Sequence, residues 1–407
     1  MYGTGFRRLW AANAVSNVGD GVTLAAGPLL VASLTDNPAL ISGAVFAQQL
    51  PWLLFSLISG AYVDRLDRRV LIAVVNVVRA VVLGGLALAV GTGMITVGLI
   101  YVAFFLLGTG ETLADNAAVA LVPAIVPAAR LPGANARLLG SQIVGNQLLG
   151  PPLGAWLFVV AAAIPFGLNA VSFVLAGALI ATLPLAAGRP PERDPKNLRV
   201  EIAEGVRWLF RHRVLRMLAL SLALMNITFF GAFSILVLWS RERLGFGELG
   251  YGLLLTCSAV GGLIGSATAG RLERRFGAST LLRIGLLIET TMHLVLALTR
   301  TPWVGCLMIG IFGVHAVIWG AVTIAIRQRV VPDHLRGRVN SVNYLFSVGG
   351  SALGALQGGF VARAFGITAP FWLALGVMVV FTAAAWRLFS HSALDAERHR
   401  VLEESVT

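Results

Sequence analysis

Apolar stretches separated by polar connections run along almost the whole chain. A helix needs about 20 apolar residues to cross the hydrocarbon core of a lipid bilayer. The stretches that approach or exceed this length lie at 9–33, 40–63, 70–90, 95–122, 135–162, 165–184, 216–238, 248–270, 279–298, 303–326, 339–362 and 369–389. The pattern therefore predicts an all-α membrane protein with twelve transmembrane helices.

One connection is much longer than the others and divides the pattern into six spans plus six. It begins with a Pro- and Arg-rich linker, and Leu198–Phe210 then alternates apolar and charged residues at helical spacing. Such an amphipathic helix is typical of a segment that lies on a membrane surface. We predict a six-helix bundle at 1–185, a cytoplasmic linker with this helix at 186–214, a second six-helix bundle at 215–390 and a cytoplasmic tail at 391–407.

The two halves contain similar stretches at corresponding places. The sequence VPAARLPGAN at Val126–Asn135 precedes the fifth span, and VPDHLRGRVN at Val331–Asn340 precedes the eleventh. Weak internal similarity between two sets of six spans is a mark of transporters that arose by internal repetition. The halves are therefore predicted to be two six-helix repeats.

The composition indicates a chain that folds mainly in lipid. Hydrophobic residues make up 57% of the sequence and charged residues 12%, whereas soluble domains are about a quarter charged. The net charge of +12 comes from arginines that gather in the connections on one side of the predicted membrane. Cytoplasmic loops carry this excess, so we expect both termini in the cytoplasm and the chain in the inner (plasma) membrane of a bacterium. This placement accounts for the charge without nucleic-acid binding.

Several function classes lack the residues that they need. The phosphate-binding loop G-x-x-x-x-G-K-[ST] is absent, and the single lysine is Lys196. Cys257 and Cys306 lie in apolar stretches and form neither a CxxC pair nor a metal-binding spacing. The sequence contains no catalytic constellation in a soluble domain. We therefore expect no enzyme activity, no metal site and no bound cofactor.

A short motif follows the second span. The sequence GAYVDRLDRR at Gly60–Arg69 resembles the signature G-x-x-x-D-R-x-G-R-R of the major facilitator superfamily. The matching residues are Gly60, Asp64, Arg65, Arg68 and Arg69, whereas Asp67 stands where a glycine is usual. SNVGDGVTLAAGPLLV at 16–31, LNAVSFVLA at 168–176 and RQRVVPDHLRGRVNS at 327–341 resemble the macrolide-efflux and enterobactin-exporter branch of the superfamily.

This resemblance implies the major facilitator fold and transport by alternating access. It also implies proton-driven efflux of small hydrophobic molecules, such as drugs, macrolides or siderophore-like compounds, with the proton gradient as the energy source. We expect a monomer. The Gly-rich signature that many drug antiporters carry in the fifth helix is only partly kept, by Gly150, Pro151 and Gly154. An uptake or uniport carrier of the same fold is the alternative.

Away from the ends of the predicted spans lie five charged residues, namely Asp20, Arg79, Glu111, Asp115 and Glu289. A charged side chain at the bilayer centre costs about 2.5–3.5 kcal/mol even on the mildest scales. These side chains are therefore predicted to face the bundle interior and to have polar partners. At 1.5 Å of rise per residue, Asp20 and Arg79 lie near the middle of their helices.

Asp20 and Glu111 are the candidate proton-coupling residues. The resemblance implies that helices one, four, seven and ten line the central cavity, which places both carboxyl groups there. A buried carboxyl group can take up and release a proton near neutral pH. Two alternatives stay open for Asp20: a structural hydrogen-bond hub with Asn13 and Asn17, and direct contact with a cationic substrate. The alternative for Glu111 is an intramembrane ion pair with Arg79.

Asp115 and Glu289 have different predicted roles. Asp115 lies one turn beyond Glu111 on the same helix face, near the inner end of the fourth span. It is predicted to pair with Arg68 of the motif and to gate the inner side of the protein. Glu289 and His293 are four residues apart on one face of the ninth span, which the resemblance implies is a peripheral helix, and this favours a structural pair.

The second half contributes candidate cavity residues of another kind. They are Asn226, Phe229 and Phe230 in the seventh span and His315 and Trp319 in the tenth. Aromatic walls with few polar groups suit a bulky apolar ligand, and ordinary helix packing is the alternative. Together with Asn13 and Asn17, these residues form the predicted substrate cavity.

Overall fold

The computed structural model describes residues 2–63, 66–183 and 198–389, and all regular elements in these ranges are helical. The α-helices are α1 (Thr4–Leu34), α2 (Pro38–Val63), α3 (Arg68–Gly91), α4 (Val97–Ile125), α5 (Leu131–Gln142), α6 (Gly150–Val160), α7 (Ile164–Ala181), α8 (Leu198–Arg211), α9 (Arg213–Phe233), α10 (Leu236–Leu244), α11 (Glu248–Leu298), α12 (Pro302–Val330), α13 (Asp333–Phe365) and α14 (Ala369–Ala385). A 3₁₀ turn, Ala128–Arg130, precedes α5, and a π-helical segment, Ile143–Leu149, joins α5 to α6.

The helices agree with the predicted membrane spans. Among the described residues, ten helices are long and apolar enough to cross a membrane, with the run from Ala128 to Val160, which contains α5, the π-helical segment and α6, counted as one. One of them, α11, has 51 residues and carries two predicted spans, because the backbone at Gly277 leaves the helical conformation with φ 76°. The shorter apolar helix α14 carries the last predicted span. The chain is an all-α, multi-pass membrane protein, and its helices are consistent with twelve spans.

The seventh predicted span, 216–238, is longer than the helix found there. Helix α9 ends at Phe233, and a separate short helix, α10, begins at Leu236. The apolar residues Leu236, Val237 and Leu238 extended the hydrophobic pattern across this break. Hydrophobicity alone does not show where a helix ends, because a buried turn can be as apolar as the helix before it.

The described residues form two compact units. The first contains the described residues of Met1–Glu192 and Leu236–Thr256, and the second contains those of Arg193–Ile235 and Cys257–Thr407. The unit boundaries therefore differ from the predicted bundles at Leu236–Thr256, which we expected in the second half. Arg241 of this segment pairs with Asp36, and Gly252 lies against the backbone of Pro151. These contacts explain why the segment packs with the first unit.

The predicted amphipathic helix, Leu198–Phe210, corresponds to α8 and belongs to the second unit. Leu209 of α8 is buried in the hydrophobic core of this unit, and Glu204 forms an ion pair with Arg338 of α13. The preceding part of the predicted linker, 186–197, and the predicted tail, 391–407, lie outside the described residues.

Each unit contains a pair of helices in very close contact. In the first unit, Gly154 of α6 lies against the backbone of Val22 in α1, and in the second unit Gly358 of α13 lies against the backbone of Gly231 in α9. A hydroxyl–amide bond joins the corresponding spans in each unit: Ser141 of α5 donates to Asn13 of α1 over 2.8 Å, and Ser351 of α13 donates to Asn226 of α9 over 3.0 Å. The first and fifth spans thus pack as the seventh and eleventh do.

We expect Gly154→Ala to destabilise the first unit, because the added Cβ would overlap the backbone of Val22. Overpacking of this kind costs about 1–3 kcal/mol. The midpoint of thermal unfolding in detergent measures the effect. Gly140→Ala, in the same span, is the matched control, since a Cβ there meets no atom within 4 Å. Equal midpoints for the two variants would contradict the close packing of α1 and α6.

Candidate functional site

A cavity of about 540 Å³ lies inside the first unit, among α1, α3, α4, α5, the π-helical segment and α7. Four of the five ionisable residues predicted inside the spans line it: Asp20, Arg79, Glu111 and Asp115. The predicted cavity residues Asn13 and Asn17 line it as well. The structure thus brings together, within one unit, polar groups from three membrane-spanning segments.

Two glycines position Asp20 in α1. A Cβ at Gly19 would overlap the side chain of Asn169 in α7, and a Cβ at Gly21 would overlap the backbone of Asn146 in the π-helical segment. The small residues on both sides of Asp20 therefore let α1 approach two neighbours closely. This packing is the structural meaning of the stretch SNVGDGV and holds the carboxylate at a fixed point of the cavity.

Asp20 forms an ion pair with Arg79 of α3. The distance between Arg79 Nη2 and Asp20 Oδ1 is 3.1 Å, and the two side chains are 8% and 23% exposed. The Arg79 guanidinium group lies over the ring of Phe173, with 4.0 Å between Cζ and the ring centroid. Gly110 of α4 leaves room for the aliphatic part of the arginine, since a Cβ there would crowd Arg79.

This pairing corrects one prediction. An ion pair with Arg79 was one of the two roles that the sequence left open for Glu111, but among the described residues the carboxylate in ion-pair contact with Arg79 is that of Asp20. The approach of α1 permitted by the glycines places Asp20 next to the guanidinium group. Glu111 lines the same cavity and is within electrostatic range of Arg79 and Asp20.

Glu111 and Asp115 lie on one face of α4, as their spacing predicts. Glu111 is half-buried, and the side chain of Asp115 is exposed. The described residues that line the cavity therefore include three carboxyl groups and one guanidinium group. Carboxylates this close repel one another when all are ionised. Such a site can bind protons or an organic cation.

The asparagines of α1 have partners other than Asp20. The Asn17 amide donates to the Asn13 carbonyl oxygen over 2.7 Å, and the Asn13 side chain accepts from Ser141 over 2.8 Å. The predicted hydrogen-bond hub of Asp20 with Asn13 and Asn17 is therefore not the arrangement found. Both asparagines contribute polar surface to the cavity and tie α1 to itself and to α5.

Sequence reasoning missed further polar cavity residues, among them Asn76, Gln142 and Asn146. Asn76 lies on α3 one turn before Arg79, and the other two flank and enter the π-helical segment. Uncharged amides inside apolar spans were the signal that could have found them, because a polar group in lipid needs a partner or a water-filled cavity.

In the second unit, the predicted aromatic residues form a stack. The rings of Phe229 and Phe312 are nearly parallel, with centroids 4.4 Å apart, and Phe229 also contacts Phe230 and Phe233. Asn226, one turn before Phe230, is held by the hydrogen bond from Ser351. These residues are half-buried, and their place in the wall of a substrate cavity stays a prediction.

His315 and Trp319 are placed differently from the prediction. Only 4% of His315 and 5% of Trp319 is exposed, and both pack against Gly285 of α11. His315 Nε2 lies 3.4 Å from Glu289 Oε2, while His293 Nε2 lies 3.7 Å from Glu289 Oε1. The pair predicted between Glu289 and His293 is thus a group of three, because α12 adds His315 from the facing side. Neither His315 nor Trp319 lies on an open cavity wall in this unit.

Within the described ranges, no group of three or more His, Cys, Asp or Glu residues could hold a metal ion. The polar clusters of both units therefore offer no metal-binding geometry there.

A family model now identifies the chain. The model of the family MFS_3, described as transmembrane secretion effector, matches residues 2–404. The protein is a major facilitator superfamily transporter. The family and its relatives are transporters, so this protein is a transporter and not an enzyme. Its multiple apolar helices make it a multi-pass membrane protein.

The transporter is similar to bacterial multidrug transporters over nearly its whole length. It is 28% identical to "Multidrug efflux pump Tap" from Mycolicibacterium fortuitum, covering 90% of this chain and 92% of the relative. It is 23% identical to "Multidrug resistance protein 1" from Bacillus subtilis (strain 168), covering 93% and 95%.

Solved structures share its fold. The nucleoside transporter NupG matches with a TM-score of 0.75 and 12% identity over 96% of this chain and 100% of the other. An inward-facing bacterial homologue of the iron transporter ferroportin matches with a TM-score of 0.73 and 17% identity, covering 95% and 99%. At these identities the likeness concerns the major facilitator fold alone.

The superfamily motif is partly within the described residues. Asp64 and Arg65 lie outside them, and Gly60 lies in the last turn of α2. Asp67, where the superfamily usually has glycine, is the N-cap of α3, since its carboxylate accepts from the backbone N–H of Arg69 over 2.9 Å. Arg69 in turn donates to the carbonyl oxygen of Leu183. The aspartate therefore has a local structural role at the start of a helix.

The predicted gating pair of Asp115 with Arg68 stays a prediction. Arg68 is the first residue of α3, and Asp115 is exposed at the same cavity that contains Asp20.

Proposed function

We propose that this transporter exports small hydrophobic molecules in exchange for protons. The observation that carries the proposal is the cavity of the first unit, in which Asp20 pairs with Arg79 and the carboxyl groups of Glu111 and Asp115 line the same wall. A carboxyl group in this cavity loses its negative charge when it binds one proton, and this loss weakens its attraction for the nearby arginine.

The ion pair between Asp20 and Arg79 supplies the coupling element. When Asp20 is ionised, it attracts Arg79, and the two charges neutralise each other. When Asp20 binds a proton, its attraction for Arg79 is lost. The guanidinium group then turns toward the other carboxylates of the same cavity, those of Glu111 and Asp115. A change of one proton therefore rearranges contacts among α1, α3 and α4, which is what a proton-coupled carrier requires.

The proposed cycle follows from these groups. On the outer side of the membrane a cavity carboxyl group takes up a proton, and on the inner side it releases this proton while the substrate enters. One proton per cycle supplies about 1.4 kcal/mol for each pH unit of gradient. Asp115 and Arg68 close the inner side in the state that faces outward. The proposal places both termini in the cytoplasm, the chain in the inner membrane and the transporter as a monomer.

The relatives support export and the class of substrate. Two proteins similar over nearly the whole chain carry the names multidrug efflux pump and multidrug resistance protein. The ring stack of Phe229 and Phe312 in the second unit offers an apolar, aromatic surface. Such a surface suits bulky apolar molecules, and the carboxyl groups of the first unit suit those with a positive charge.

Everted membrane vesicles test the direction and the energy source. Vesicles that contain the transporter and acidify their lumen by respiration should accumulate a hydrophobic cationic dye such as ethidium. Collapse of the pH gradient should reduce accumulation to the level of vesicles without the transporter. Equal uptake with and without the gradient would instead indicate a uniporter, and uptake only by right-side-out vesicles would indicate an importer.

A further inference from the structure

Three buried titratable residues of the second unit have no role in the proposed exchange. Glu289 and His293 lie on α11 and His315 lies on α12, and their exposed fractions are 1%, 0% and 4%. Glu289 lies near the middle of the ninth predicted span, 279–298. An ionisable group at this depth is costly, and such residues in membrane proteins usually have a function. The three residues are therefore a candidate for a second functional site.

The two imidazole rings lie beside opposite oxygens of the carboxyl group. His315 Nε2 is 3.4 Å from Glu289 Oε2, and His293 Nε2 is 3.7 Å from Glu289 Oε1. Gly285, one helical turn before Glu289, makes room for His315, since a Cβ at Gly285 would lie 2.7 Å from its ring. Each carboxyl oxygen therefore faces one ring nitrogen, one from its own helix and one from α12.

Hydrogen bonding within this group is incomplete. In the described part of the chain, Glu289 Oε1 and both ring nitrogens of His293 are buried and have no hydrogen-bond partner. The 3.7 Å between Glu289 and His293 exceeds the length of an N–H···O hydrogen bond, which is about 2.7–3.2 Å. Buried polar atoms without a partner are rare and call for an explanation, such as a bound species or a chemical role. The described residues here form no group that could hold a metal ion, so the species that fits is a proton.

The charge balance of the group also calls for a proton. The described residues in ion-pair contact with Glu289 are His293 and His315. An ionised carboxylate beside two neutral imidazole rings has a net negative charge, which is costly when it is buried without compensation. One bound proton, on either ring or on the carboxylate, makes the group neutral.

The helices around the group have their charged residues elsewhere. Arg283 lies six residues before Glu289 on α11, but its Nε donates to the carbonyl oxygen of Trp386 over 3.0 Å. Helix α14 contacts this part of α11 through Thr382 and Thr290, and its sequence has no charged residue or histidine. The charged residues of α9 and α12 lie in the first turn of α9 and the last turn of α12: Arg213, Arg216, Arg327 and Arg329.

We propose that Glu289, His293 and His315 form a second proton-binding site, which holds one proton while the transporter is active. The carboxylate and the two rings share this proton. Its loss leaves a negative charge between α11 and α12, which opposes the close packing of these helices. Transport therefore requires the proton at this site. The inference does not rest on proton-coupled export, because the proton stays bound and a uniporter would need it equally.

Solid-state NMR of the full-length transporter in lipid bilayers tests the bound proton. Labelling with ¹⁵N-histidine distinguishes a protonated ring from a neutral one among the six histidines. A histidine in water is about 90% neutral at about pH 7.5, whereas His293 and His315 together should give the protonated signal of about one histidine. Glu289→Gln should remove this signal. Glu273→Gln, on the same helix with its partner Arg329, is the matched control and should keep it.

Infrared spectroscopy covers a proton that lies on the carboxyl group. A band of a protonated carboxyl group that Glu289→Gln removes and Glu273→Gln keeps would place the same proton on Glu289 and support the site. The variants His293→Gln and His315→Gln assign the NMR signals. If the unaltered transporter shows neither a protonated ring at these two positions nor such a band, the proposal fails, whatever the stability of the variants.

Dye transport at equal pH on both sides of a proteoliposome tests the requirement for this proton. Between about pH 7.5 and about pH 9.5, dye movement down its own gradient should slow at least about fivefold, because the buried group becomes negatively charged. Glu289→Gln cannot acquire this charge and should slow less than about twofold, whereas Glu273→Gln should slow like the unaltered protein. Equal slowing in Glu289→Gln and the unaltered protein would overturn the requirement. Loss of gradient-driven accumulation in everted vesicles bears on proton-coupled export and leaves this result unchanged.

Discussion

Asp20→Asn is expected to abolish the dependence of efflux on the pH gradient. The substitution keeps the shape and hydrogen-bonding capacity of the side chain but removes the carboxyl group that we propose binds the proton. With a gradient of about two pH units, one-proton coupling supports a substrate concentration ratio of about 100, and the variant should approach a ratio of about 1. Dye accumulation in everted vesicles, measured over a range of imposed gradients, gives this ratio directly.

The control for this experiment is Asp36→Asn. Asp36 follows α1, and 81% of its side chain is exposed, so the same chemical change is made outside the cavity. This variant should keep the dependence on the gradient. If Asp20→Asn leaves the accumulation ratio unchanged, Asp20 is not the coupling residue, and Glu111 or Asp115 takes this role.

Arg79→Gln is expected to lower both stability and transport. The guanidinium group is almost fully buried and is the ion-pair partner of Asp20. Removal of one member of a buried ion pair costs about 3–5 kcal/mol, since the other charge is left without compensation. Because Asp20 is partly exposed and can bind a proton, the loss of folding free energy should lie near the lower end of this range. The midpoint of thermal unfolding in detergent measures it.

The double variant Asp20→Asn/Arg79→Gln separates structure from transport. Without the aspartate charge, the loss of the arginine should cost less, so the double variant should be more stable than Arg79→Gln alone. Its coupled transport should stay absent, because no proton can bind at position 20. If the two single effects on stability simply add, the ion pair between Asp20 and Arg79 does not contribute to the folded state.

Much of the fold could be predicted from the hydrophobic pattern. All twelve predicted spans lie on helices, because a segment in lipid must satisfy its backbone hydrogen bonds internally and therefore forms a helix. The ends were less predictable. The break between Phe233 and Leu236 occurs in apolar sequence, inside the seventh predicted span.

The candidate site was predictable in its residues but not in their pairing. A charge inside a span must face a polar partner, so Asp20, Arg79, Glu111 and Asp115 could be recognised from sequence alone. Which carboxylate contacts Arg79 depends on how closely α1 approaches its neighbours, and Gly19 and Gly21 permit the close approach of α1 to α7 and to the π-helical segment. Helical spacing says nothing about contacts between different helices.

The second unit shows the same limit. His315 was predicted in a cavity because its helix lines one in the superfamily, but its side chain turns toward Glu289 instead. The identity of a cavity-lining helix does not fix which of its faces a given residue occupies. The N-cap role of Asp67 is a local property of the start of α3. Comparison with the superfamily signature showed only that Asp67 replaces the usual glycine, and it did not indicate this role.

Proton movement that accompanies substrate movement is the most direct test of the proposed exchange. Proteoliposomes with the purified transporter and a lumenal pH indicator are given a concentration gradient of a transported dye. As the dye moves down this gradient, protons should move across the membrane in the opposite direction. Asp20→Asn should carry no such flux, and Asp36→Asn should resemble the unaltered protein. Dye movement through the unaltered transporter without any proton flux would contradict proton-coupled export.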